Sequence, residues 1–100
     1  MSQGCGNVQL VVGRIPNTAD SSGPGFTSVF QGAGTVIVTF TDPQFDTPTI
    51  ITHAEVFNGV STDNSVFIGS VTPGQARSGN AVLLGFNGIG FIDFIAAKCR

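Results

Sequence analysis

The stretch GFTSVFQGAGTVIVTFTDPQFDTPTII, residues 25–51, decides the fold. It holds two short alternating runs joined by Gln31-Gly32-Ala33-Gly34, then an acidic turn, then a third apolar run. Alternation of apolar with Thr or Ser side chains, punctuated by Gly-rich turns, is the pattern of an antiparallel meander. Residues 35–41 carry the cleanest alternation. Val36, Val38 and Phe40 share one face, and Thr35, Ile37, Thr39 and Thr41 share the other. The Val and Phe face is expected to be the core face.

The same grammar predicts strands over residues 8–15, 26–30, 35–41, 49–57, 66–71, 81–86 and 91–97. Each separator carries Gly, Pro or Asn-Gly, residues that favour turns and resist sheet pairing. No segment reads as a helix. Seven strands spaced by about ten residues predict an all-β antiparallel sandwich or small jelly roll. Its central strands are expected to include residues 35–41 and 91–97, with Ile92 and Phe94 also inward. Asn87-Gly88 predicts a type I′ hairpin joining the last two strands, because both residues tolerate positive φ. Residues 1–7 read as a flexible arm, 8–98 as the sandwich and 99–100 as a tail.

Composition limits what such a domain does. Charged residues make up 10% of the 100-residue chain and hydrophobic ones 41%, against roughly 25% charged in ordinary soluble domains. So few charges leave apolar and Thr-rich faces to meet copies of the chain or a partner. The net charge is −2, and Arg14, Arg77, Lys98 and Arg100 are scattered, so no basic patch points to nucleic acid. All nine aromatics are Phe, which supplies core volume without the amphipathic rings that stack on sugars or bases. No run of 18 apolar residues predicts membrane insertion. The opening MSQGCGNVQL has neither a basic nor a continuous apolar region, so a Sec signal is not expected.

The succession VVGRIPNTADSSGPGFTSVFQGAGTVIVTFTDPQFDTPTIITHA, then SVTP, then GFIDFIAAK, resembles the C-terminal β-sandwich head module of bacterial and phage fibre and collagen-like surface proteins. The positions that carry the resemblance are Gly13, Arg14, Gly25, Phe26, Thr27, Gly34, Thr35, Thr39, Phe40, Phe45, Pro48, Phe94, Ile95 and Ala96. It extends over about residues 8–98. Val36 stands where such modules often carry Tyr. The resemblance implies a trimer-forming, surface-exposed structural module and no reaction. More distantly, the Phe-x-x-Pro entry and apolar closing strand are similar to H-type lectins, which implies a glycan- or receptor-binding head as the alternative. The Trp and loop aromatics expected of such lectins are missing.

Candidate chemistry is sparse. Cys5 and Cys99 flank the predicted sandwich. They could be free thiols, an intrachain staple or interchain links; the last is the expectation here, since a mobile thiol in a Gly-rich arm can reach a neighbour's anchored one. His53 and Glu55 share a strand face and could serve as base and orienter or as two metal ligands, but no nucleophile motif or second His accompanies them. Asp93 lies between Phe91 and Ile95 on an otherwise apolar face. If buried it needs a cation, and Arg14 or Arg77 is the expected partner. Asp42, Asp46 and Asp63 lack calcium-loop spacing and read as solvated turn residues. No cofactor and no catalytic residue are expected. The sequence thus points to a self-assembling subunit of a fibre, appendage or shell on the surface of a cell, spore or virion, partnered by itself as a trimer or polymer.

Overall fold

The computed structural model describes residues 4–56, 67–69 and 79–99. Among the described residues eight strands form: β1 (Val8–Pro16), β2 (Ser21–Gly23), β3 (Phe26–Gly32), β4 (Thr35–Phe40), β5 (Thr49–Val56), β6 (Phe67–Gly69), β7 (Ala81–Gly85) and β8 (Gly90–Cys99). The three-residue β2 is the strand that the sequence reading lacks. β1, β8 and β5 make a three-stranded antiparallel sheet, and β2, β3, β4, β7 and β6 make a five-stranded one, in those spatial orders. The protein is therefore an all-β antiparallel sandwich. β8 and β4 are the interior strands anticipated from their apolar runs.

The core forms where the inward alternations of the two sheets meet. Val36, Val38 and Phe40 of β4, Val82 and Leu84 of β7, and Ile92, Phe94 and Ala96 of β8 are all buried. Phe94 links the two layers through edge-to-face contacts, 5.1 Å from Phe26 and 6.3 Å from Phe40 between ring centroids. Phe45 caps the same cluster at 4.9 Å from Phe40. Gly13 has a steric reason to be glycine: a Cβ there would lie 2.6 Å from the rings of both Phe26 and Phe94. The turn from β3 to β4 runs through left-handed backbone at Gly32 (φ 92), Ala33 (φ 54) and Gly34 (φ 75). That geometry reverses the chain tightly and suits glycine at its two ends.

The last connection differs from the expected hairpin. β7 pairs with β4 and β6, whereas β8 pairs with β1 and β5. Asn87-Gly88 therefore lies in a crossover from one sheet to the other. The reason is tertiary: Phe86 is fully buried at this corner, and β8 fills the gap between β1 and β5, where both of its edges are paired. A local turn preference is worth less than burying that ring and completing two ladders.

Candidate functional site

The register of the three-stranded sheet lays its outward residues in rows. Val12, Ile95 and Ile51 form one row across β1, β8 and β5; Leu10, Ala97 and Thr49 form the next, with Val8 opposite Cys99 beyond it. In the other direction lies the row Arg14, Asp93 and His53, followed by Pro16, Phe91 and Glu55. One half of the face is thus apolar and the other ionic. Of the eight large hydrophobics exposed among the described residues, five belong here: Val8 50%, Leu10 59%, Val12 60%, Ile51 64% and Ile95 43%. The five-stranded sheet exposes Val29 and Phe30, but these are consecutive in β3 and lie on opposite faces, Val29 opposite Ile37 and Phe30 opposite the buried Val36.

Arg14 organises the ionic half. Its guanidinium pairs with Glu55, lies 3.6 Å from an Asp93 carboxylate oxygen, and sits 4.4 Å from the centroid of the Phe91 ring. Planar delocalised charge suits Arg to both the carboxylates and the ring. Asp93 is accordingly not in the core: it is on the outer face with 36% of its side chain exposed. β8 turns Ile92 and Phe94 inward, which leaves Phe91, Asp93 and Ile95 to the outside. Arg77 lies outside the described residues. Glu55 is engaged by Arg14 through one carboxylate oxygen. Among the described residues no group of three or more His, Cys, Asp or Glu could hold a metal ion.

The cysteines are joined to each other within one chain, with Cα atoms 5.2 Å apart. This corrects the expected link between chains. The register of β1 on β8 puts Val8 opposite Cys99, so Cys5, three residues upstream, lies beside the strand end. Cys99 is also the last residue of β8 rather than part of a tail.

The turn acids Asp42 and Asp46 are structural rather than merely solvated. Asp42 accepts hydrogen bonds from the Gln44 amide at 2.9 Å and from Gln9 Nε2 at 3.2 Å. Asp46 pairs with Lys98, whose ammonium also donates to the backbone carbonyls of Asp46 at 2.9 Å and Gln44 at 3.2 Å. Together they close the loop over buried Phe45 and Pro48. Asp63 lies outside the described residues.

Sequence reasoning missed Asn17, which lies in the separator between the expected strands 8–15 and 26–30. Its side chain is fully buried; Nδ2 donates to the carbonyls of Gly34 at 3.2 Å and Gly88 at 2.9 Å. No periodicity marks such a residue, since its partners are remote in sequence. Compared with known protein families, curated proteins and solved structures, the chain matches none.

Proposed function

We propose that this protein is a structural subunit that assembles with copies of itself through the outer face of the β1-β8-β5 sheet, in a surface fibre, appendage or shell. The observation that carries this reading is the contiguous patch of Val8, Leu10, Val12, Ile51 and Ile95, each more than two-fifths exposed. A monomer gains nothing by holding five such side chains in water side by side, and contiguous apolar patches of this kind mark interaction surfaces. The scarcity of charge over the whole chain, 10%, supports the same conclusion. So does the exposed Cys5–Cys99 disulfide, a bond that persists in oxidising surroundings outside the reducing cytosol. With the cysteines paired within the chain, assembly is non-covalent.

Sedimentation velocity across micromolar to millimolar concentrations tests the reading. The wild type should form species larger than a monomer, and Ile51→Lys, on the sheet surface, should remain monomeric at the same concentrations. A wild type that stays monomeric throughout overturns it.

A further inference from the structure

Resting on that reading, we infer that the elementary contact on this face is a two-fold pair in which β8 lies over β8 of the second copy and β1 lies over its β5. Polarity changes along the strands and not across them: rows at the Val8 end are apolar, and rows at the Pro16 end contain Arg14, Asp93, His53 and Glu55.

Two sheets meeting face to face can be related by a two-fold axis lying in the interface, either across the strands or along them. An axis across the strands, through the row Val12, Ile95 and Ile51, inverts position along each strand. It would set the Arg14, Asp93 and His53 row on the second copy's Leu10, Ala97 and Thr49, burying charges against apolar side chains with no new partner. An axis along β8 preserves position along the strands and exchanges β1 with β5. Val12 then faces Ile51 of the second copy, Leu10 faces its Thr49, and Arg14 faces its His53 with its Glu55 adjacent. Asp93, on the axis, faces its own copy, and each of the two carboxylates keeps the Arg14 of its own chain at 3.6 Å. The apolar end of the face covers the apolar end, and the ionic rows meet each other. Because β1 and β5 both run antiparallel to β8, they are parallel to each other, so the exchange also preserves strand direction. That is the aligned packing preferred by stacked sheets.

Area sets the strength. Three strands are about 14 Å wide and nine residues about 30 Å long, so the flat face measures roughly 400 Å² per copy, near half of the roughly 800 Å² per partner in a standard stable interface. The pair should therefore be weak and transient. An isologous contact is also closed, so growth beyond the pair would use another surface.

The test uses single substitutions at exposed positions and a short bis-maleimide, with the native cysteines held in their disulfide. Ile95→Cys, near the axis, should cross-link to itself. Val12→Cys and Ile51→Cys should each fail to self-link but cross-link about tenfold more when mixed, and wild-type sedimentation should give twice the monomer mass. Self-linking of Val12→Cys, or a mass of three chains, overturns the two-fold pair while leaving self-assembly standing. A monomer at every concentration, with no cross-links, overturns both.

Discussion

Asn17 and Gly90 exchange two hydrogen bonds across 73 positions of sequence: the Asn17 amide donates to the Gly90 carbonyl at 3.0 Å, and the Gly90 amide donates to Asn17 Oδ1 at 3.0 Å. Asn17 follows directly on β1 and Gly90 opens β8, so this exchange continues the β1–β8 ladder past its last paired residues. Through Nδ2 the same side chain holds the turn carbonyls of Gly34 and Gly88. One buried amide thus ties the end of the three-stranded sheet to a turn of the five-stranded sheet and to the crossover between them.

Asn17→Ala should therefore destabilise the protein by about 2–4 kcal/mol, since buried backbone groups lose their partners, as read from the urea midpoint. Asn17→Asp is the sharper variant. It turns an acceptor oxygen toward the two carbonyls that Nδ2 now serves, so the folded state favours the protonated acid and its folded pKa rises above the unfolded value. The deficit against wild type should be small at pH 3 and widen as pH climbs through the ordinary carboxyl range toward 7. A pH-independent deficit would contradict the clamp.

Phe40→Ala should cost about 3–5 kcal/mol, because Phe40 touches Phe45 and Phe94 and is fully buried. Gly13→Ala should cost about 1–3 kcal/mol by overpacking, as the new methyl meets two rings that are themselves confined. Thermal melts of both variants check this. A wild-type melting temperature for Gly13→Ala would mean that the Phe26 and Phe94 rings move aside freely.

Reducing the disulfide should leave the sandwich intact but weaken it. Cys5 and Cys99 close a loop with a sequence separation of 94, worth about 4–5 kcal/mol in the chain-entropy account. Cys5→Ser and Cys99→Ser should each lower the denaturant midpoint by similar amounts. Non-reducing gels of the wild type should show one compact band that slows with reductant; a ladder would indicate bonds between chains instead.

Thr47 is a β-branched residue in left-handed backbone, at φ 43. That conformation costs roughly 1–2 kcal/mol for an L-residue, while glycine gives back roughly 0.5–1 kcal/mol through its freer unfolded chain. Thr47→Gly should thus be neutral to stabilising by up to about 1.5 kcal/mol. A clear loss of stability would show that the Thr47 side chain makes a contact worth more than the strain.

Local pattern alone specified every described strand except β2, and the inward faces of β4 and β8. Period-two alternation is a local property, and it forces Val36, Val38, Phe40, Ile92 and Phe94 to one side of their strands in any sheet they join. Asp93 shows the limit of that reading, since strand parity put it on the face opposite Ile92 and Phe94, but only the packing revealed that this face is open to solvent. Three further features were decided by tertiary structure alone. Asn87-Gly88 became a crossover because β8 completes two ladders in the other sheet. Cys5 found Cys99 because the β1–β8 register brings both chain ends to one corner. Asn17 became a core residue because carbonyls from two distant turns converge on it. In each case the partner lies far off in sequence, so no local pattern encodes the contact, and the free energy that selects it comes from burying and satisfying groups only once both sheets are in place.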